Sequence, residues 1–224
     1  MSNENFKKEL FGQFAQIAKA LSSGHRLELL EFLAQGERSV EALAKVSGLS
    51  VANTSQHLQR LRGAGLVTSR TEGHKALYRL ADDDTIELLA ILRRVAERSL
   101  GEVDRLVRSY LATKDDLDPI PAQGLLNRAR RGEITVLDVR PPEEYAAGHL
   151  PGAINIPLYS LESHLSELPK SRQVIAYCRG PYCVLAFEAV ERLRAQGFKA
   201  NRLQDGFPEW RLLGLPVENE TSPS

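Results

Sequence analysis

Through the first half of the chain, apolar residues recur at spacings of three and four; beyond that they gather in short runs separated by helical stretches. "FKKELFGQFAQIAKAL" places Phe6, Leu10, Phe14, Ile17 and Leu21 at a helical period, and "HRLELLEFLA" resumes it at Leu27, Leu30 and Leu33 after a Ser-Ser-Gly break. A third helix is predicted in "SVEALAKVSG", capped by Ser39 and ended by Gly48, and a fourth in "VANTSQHLQRLRGAG", capped by Ser50. "GLVTSR" and "KALYRL" then alternate around "TEGH", the pattern of a hairpin turning at Gly73. From Thr85 to Thr113 a heptad seam follows: Leu89, Leu92, Ala96, Ser99, Val103, Leu106 and Tyr110. At about 1.5 Å per residue this helix would extend roughly 40 Å, with a bend or break open at Gly101. The stripe outlasts what a small domain buries, which points to pairing between two copies.

"TKDDLDPIP" (113–121), polar with two prolines, reads as a linker, so the domains are expected over 1–114 and 115–224. After it, strands in "ITVLDVR", "QVIAYC" and "KANRL" alternate with helices in "PAQGLLNRARRG", "LYSLESHLSEL" and "VLAFEAVERLRAQG". That alternation implies a parallel sheet covered by helices. The expected fold class is a mainly α domain followed by an α/β domain.

Charge sharpens this division. The chain is neutral, with 29 Lys+Arg against 29 Asp+Glu, which excludes a uniformly basic nucleic-acid binder. Residues 1–114 nevertheless carry 17 basic and 14 acidic side chains, and within 51–80 Arg60, Arg62, Arg70, Lys75 and Arg79 face Glu72 alone. At 100° per residue, the fourth helix turns Val51, Thr54, Leu58 and Leu61 inward and Ala52, Asn53, Gln56, Gln59 and Arg60 outward. Amides and guanidinium are the groups that read base edges. A helix, a tight Gly turn, a second helix and a basic hairpin make a winged helix-turn-helix, with Arg70 and Lys75 on its wing. The expected partner is double-stranded operator DNA. No apolar leader core or membrane-length apolar run is seen, and a cytoplasmic location without membrane association is expected.

Within this region, "LSVANTSQHLQRLRGAGLVTSRTEGHKALYRL" resembles the recognition helix and wing of the ArsR/SmtB family of bacterial transcriptional repressors. The resemblance covers about residues 5–100 and implies a homodimer, paired through its first and last helices, that releases its operator when an inducer binds. Many family members sense metals through a Cys pair before the recognition helix or through Asp and His on the last helix. Here those places read "ERSVEALAKV" and "DDDTIELLAILRR", with no thiol in the first and no His in the second. No metal site and no cofactor are expected.

Both cysteines of the chain fall in "YCRGPYC" (177–183). A redox pair, a nucleophile with an incidental neighbour, and two inert core residues are all compatible with that placement. A strand ending at Cys178 and a helix starting near Cys183 bring backbone N–H groups and a positive helix end to the first thiol, with Arg179 beside it. A buried small hydrophobe fits Cys183 better than Cys178. Together with "LDVRPPEEYAAGHLPGAINIP" (137–157) and "LQDGFPEW" (203–210), this loop resembles the rhodanese-like sulfurtransferase domain over about 119–218. The resemblance implies that Cys178 accepts a sulfane sulfur as a persulfide, with Asp138, Arg140, Glu144 and His149 framing the pocket; His149 is given no catalytic role. Where the loop often ends in Arg, this chain has Cys183; Pro181 removes one N–H, and Asp205 stands where Gly is common.

Together these readings point to a repressor whose rhodanese-like domain senses or processes reactive sulfur through Cys178 and Cys183. The small-molecule partner would be polysulfide, persulfide or thiosulfate. The rivals are a sulfurtransferase that uses its DNA-binding domain as a tether, and a thiol-based sensor of arsenic or oxidants. Cys178, Arg179, Cys183, Asp138 and Arg140 are the candidate catalytic residues.

Overall fold

The computed structural model describes residues 3–111 and 119–220. Most of the expected linker, 113–118, lies outside the described residues. The chain packs as two compact units, Met1–Leu89 and Ala90–Ser224, a division that falls earlier than the sequence boundary at 114.

In the first unit α1 (Asn3–Leu21) and α2 (Gly24–Leu33) are followed by β1 (Arg38–Ser39), α3 (Val40–Ser47), α4 (Val51–Gly63), β2 (Val67–Glu72) and β3 (Lys75–Leu80). The break after α1 is held by Arg26. Its buried guanidinium donates to the carbonyls of Ala20 and, at 2.9 Å, of Lys19, satisfying acceptors that the helix end leaves open. Ser39 accepts from Ala42 N at 3.2 Å to start α3, and Gly48, at φ 68°, ends it in the left-handed region a side chain would resist. Strands β2 and β3 pair antiparallel, Val67 opposite Leu80 and Glu72 opposite Lys75. The short β1 adds to β3, giving the order β1-β3-β2. Leu29, Leu30, Leu43, Leu58 and Leu61 are fully buried in one core. Each contributes about 1.5–3 kcal/mol relative to exposure.

The heptad segment is not one helix. It forms α5 (Asp84–Ser99) and α6 (Gly101–Tyr110), separated by an extended Leu100 at φ −116°, ψ 101°. The break falls beside Gly101, the residue with the weakest claim to a helix interior. Leu92, Leu106 and Tyr110 of the seam are exposed, as are Phe6, Phe11 and Phe14 of α1.

The second unit contains a parallel sheet in the order β5-β4-β6-β7, built from β4 (Ile134–Asp138), β5 (Ile154–Asn155), β6 (Gln173–Tyr177) and β7 (Ala200–Arg202). Helices α7 (Leu125–Arg130), α8 (Pro142–Ala147), α9 (Val184–Ala195) and α10 (Phe207–Leu212) surround it. Alternation along the strands splits the core in two. Leu137, Val174 and Ala176 pack with Ala189, Val190 and Leu193 of α9, whereas Val136, Ile175 and Tyr177 pack with Leu125, Phe207 and Trp210. The helix expected over "LYSLESHLSEL" is a 3₁₀ segment, Leu158–Glu167. Its buried Leu158 and Leu161 are three residues apart, the spacing that eclipses side chains in that geometry.

Candidate functional site

Helix α4 is oriented by its own buried stripe. Thr54, Leu58 and Leu61 face the core, and Ser50 accepts from Asn53 N at 3.2 Å at the helix start. Asn53, Gln56, Gln59 and Arg60 are exposed on the other side. Val51, expected inward, is 49% exposed, because it occupies the first helical position, before the helix reaches the core. Arg62 donates to Ser69 Oγ at 3.1 Å and so ties α4 to the wing.

The two wing cations differ. Lys75 is exposed beside the turn at Gly73, which has φ 58°. Arg70 grips Glu37, with Nε 3.0 and 2.9 Å and Nη2 2.6 Å from its carboxylate oxygens. The Arg70 charge is therefore already partly neutralised. His57, on the flank of α4, has a buried Nδ1 without a partner in the structure, and its rings lie 5.7 Å from those of His25. Burial, followed by the charges of Arg26, His25 and Arg60, holds His57 below the ordinary histidine range. Arg62 and His57 were visible in the sequence only as part of a basic, polar helix.

The cysteine loop runs from the end of β6 to the start of α9. Cys183 is the N-cap residue of α9 and its N–H donates to Gly180 O at 3.1 Å. Pro181 has no N–H, so neither position can contribute a donor to an anion cradle. Cys178 and Cys183 are joined in a disulfide with Cα atoms 6.1 Å apart, well inside the span such a bond bridges. Cys178 is 1% exposed and Cys183 half-buried, the reverse of the burial expected from the sequence. The strand end lies deeper than the helix cap, because β6 is central in the sheet.

The charged residues around the loop form buried pairs and not an open lining. Glu144 is fully buried and accepts from Arg179 Nε at 3.0 Å and Nη2 at 2.7 Å. The Arg179 cation is thus engaged by a carboxylate rather than facing the thiols alone. Asp138 and Arg140 are both 0% exposed and bonded through Nε at 3.0 Å and Nη2 at 2.6 Å. Arg140 also donates to Gly148 O at 2.8 Å, and Tyr177 Oη donates to Asp138. Although burial opposes the Arg140 charge, Asp138 more than offsets it and the guanidinium pKa is raised; burial and then Asp138 push the Tyr177 phenol well above its usual range. This group fastens the end of β4 to β6 and to the turn before His149. His149 stacks on Tyr145 at 3.7 Å and lies with Nδ1 2.9 Å from Tyr145 O, as a residue of that turn. Sequence reasoning missed Gly206: it lies so close to the backbone of Arg179 and Gly180 that a Cβ has no room. Its presence in "QDGFPEW" was the available signal.

Among the described residues, no group of three or more His, Cys, Asp or Glu could hold a metal ion, and no helix is long and apolar enough to cross a membrane.

Two family models match, in chain order: "Bacterial regulatory protein, arsR family" over residues 23–69 and "Rhodanese-like domain" over 121–213. The chain is similar to the HTH-type transcriptional regulator Rv0324 of Mycobacterium tuberculosis, with 46% identity across 95% of this chain and 93% of the relative. A sulfurtransferase of Allochromatium vinosum is 31% identical over 45% of this chain and 94% of its own length. Among solved structures, the homodimeric winged helix-turn-helix DNA-binding domain of Mb0332 from Mycobacterium bovis is 42% identical, covering 45% of this chain and 91% of that one, with a TM-score of 0.41.

Proposed function

The chain belongs to the arsR-type HTH transcriptional regulators and carries a C-terminal rhodanese-like domain, and from that premise we propose that reactive sulfur is its signal. The observation that carries the proposal is the bonded pair Cys178–Cys183, two thiols placed at the two ends of one loop. The DNA-binding and dimerising part is taken as 1–114, with α4 and the wing on operator DNA, and the sulfur-responsive part as 115–224.

The persulfide that carries the signal is itself the two-electron oxidant, so the chemistry balances with no further one. Cys178 thiolate attacks the outer sulfur of a persulfide RSSH, giving Cys178–S–SH and RS⁻. Cys183 thiolate then attacks the Cys178 sulfur, forming the disulfide and expelling HS⁻. Two cysteine thiols are oxidised and the sulfane sulfur is reduced to sulfide. A cellular thiolate resets the loop by attacking the more exposed Cys183 sulfur, releasing Cys178 as thiolate; a second thiolate frees Cys183 and leaves as RSSR. Disulfide formation alters DNA affinity in the dimer.

The test is a DNA-binding titration of the full chain, reduced or treated with polysulfide, on a duplex selected by the reduced protein from a random pool. Wild type is expected to change affinity on treatment, Cys178→Ser to lose both sulfur loading and response, and Cys183→Ser to retain a persulfide detectable by mass spectrometry without forming the disulfide. Release from DNA by polysulfide in the double Cys→Ser protein would refute the proposal. The rival sulfurtransferase reading predicts that Cys183→Ser keeps turnover with a sulfur donor while DNA affinity ignores the donor.

A further inference from the structure

Within the unit Ala90–Ser224, the cysteine loop is held to helix α5 from two directions. Tyr182, the residue before Cys183, donates its hydroxyl to Glu97 Oε1 at 2.7 Å. One turn earlier on α5, Arg93 Nη1 donates to Glu209 Oε1 at 3.0 Å, with side chains only 25% and 14% exposed. Glu209 accepts from Gly206 N at 3.1 Å, and Gly206 is the residue packed onto the Arg179–Gly180 backbone. Phe207 N also donates to Cys178 O at 3.1 Å. Burial and then the Glu97 carboxylate push the Tyr182 phenol up to about 12, so it is a protonated donor at neutral pH.

We propose that the Tyr182–Glu97 hydrogen bond is the output contact of the cysteine loop, favoured when Cys178 and Cys183 are joined and weakened when they are not. This rests on the reading that these cysteines interconvert between thiol and disulfide. The disulfide closes the six-residue segment 178–183 and fixes Cys183, and through it the adjacent Tyr182. Without that bond, Cys183 is still held to α9, whose Ala186 N donates to its carbonyl at 3.3 Å. Among the described residues, however, the one backbone hydrogen bond within the loop is Cys183 N–H to Gly180 O at 3.1 Å, so Cys178 and Tyr182 are no longer cross-linked through sulfur. The second tether, through Gly206, Glu209 and Arg93, reaches the other end of the loop and keeps α5 in register for Tyr182. Helix α5 is continuous from Asp84 to Ser99, so its first residues belong to Met1–Leu89, the unit that carries α4. A restraint on Glu97 is therefore placed on the helix that leads back to the DNA-reading unit.

Coupling of this kind is reciprocal: if the disulfide favours the contact, the contact favours the disulfide by the same factor. The full-length protein is equilibrated in glutathione buffers of graded ratio, where two cysteine thiols and one oxidised glutathione exchange for the protein disulfide and two reduced glutathiones. Free thiols are then alkylated and counted by mass spectrometry. Tyr182→Phe removes only the hydroxyl and Glu97→Gln only the charge; both residues are exposed enough to spare the fold. Each variant is expected to lower the dithiol-to-disulfide equilibrium constant roughly fivefold, the factor that matches the net contribution of one ordinary solvent-accessible hydrogen bond. The double variant should lose no more than the larger single loss. Unchanged constants in both single variants, or losses that multiply in the double, would overturn the proposal. Because this measurement uses neither DNA nor a sulfur donor, its failure is distinct from failure of the sulfur-sensing reading, which is judged by operator affinity after polysulfide.

Discussion

Asp138→Asn tests whether the buried carboxylate near the cysteine loop is scaffold or chemistry. The substitution keeps size and shape, so it opens no cavity. It does replace a carboxylate oxygen that accepts from Arg140 Nε at 3.1 Å, from Arg140 Nη2 at 2.6 Å and from the Tyr177 hydroxyl. If the new amide nitrogen takes that place, donors face donors; if it takes the other, it meets Arg140 N and Nε, which are 2.9 and 3.0 Å from Oδ1. Either way Arg140, 0% exposed, loses the carboxylate charge it is bonded to. Removing one partner of a buried pair costs about 3–5 kcal/mol, a large share of the roughly 5–15 kcal/mol that holds a domain folded. With a urea m-value of roughly 1.5 kcal/mol/M, the unfolding midpoint should fall by about 2–3 M. Trp210, the single tryptophan and 1% exposed, reports this unit by fluorescence. Persulfide loading of Cys178, measured below the new midpoint, should match wild type. A midpoint shift below about 0.5 M at unchanged slope, or loss of loading in folded protein, would refute the scaffold assignment.

Gln56→Ala should cost about 1–3 kcal/mol on a selected duplex and blur sequence preference, while Lys75→Ala should weaken binding evenly and reduce the salt slope by about one, both read by titration at several salt concentrations. Arg70→Ala should change that slope less than Lys75→Ala, because Glu37 already neutralises Arg70. A charge at Leu106, which is 56% exposed on the α6 seam, should yield monomers by sedimentation. Since the His57 pKa is lower in the folded than in the unfolded chain, the unfolded state binds the extra proton first; stability contributed at neutral pH should decline as pH falls below about 6.5, and His57→Gln should blunt that decline in acid melting curves.

Local patterns carried much of the architecture. The caps at Ser39 and Ser50, the left-handed glycines at 48 and 73 and the apolar periods of α1 to α4 are properties of neighbouring residues, so a sequence displays them. The same holds for β4 and β6, whose apolar runs are bounded by turn residues, and for the exposed amides of α4. Contacts between distant residues were beyond that reach. β1 and β5, at two residues each, have no periodicity to display and exist only because β3 and β4 lie alongside. Periodicity also kept Val51 inside, since it records spacing but not where the core ends, and it left a bend or break open at Gly101 that the fold decided as the break between α5 and α6. At the site, composition identified two thiols at the ends of one loop and a cation beside them. Only the folded chain put Glu144, 35 residues earlier, against Arg179, sank Cys178 below Cys183, and brought Glu97, 85 residues away, to the hydroxyl of Tyr182. The physical reason is the same in each case: the charge and accessibility of a side chain depend on what tertiary packing sets beside it, and no local pattern encodes that neighbour.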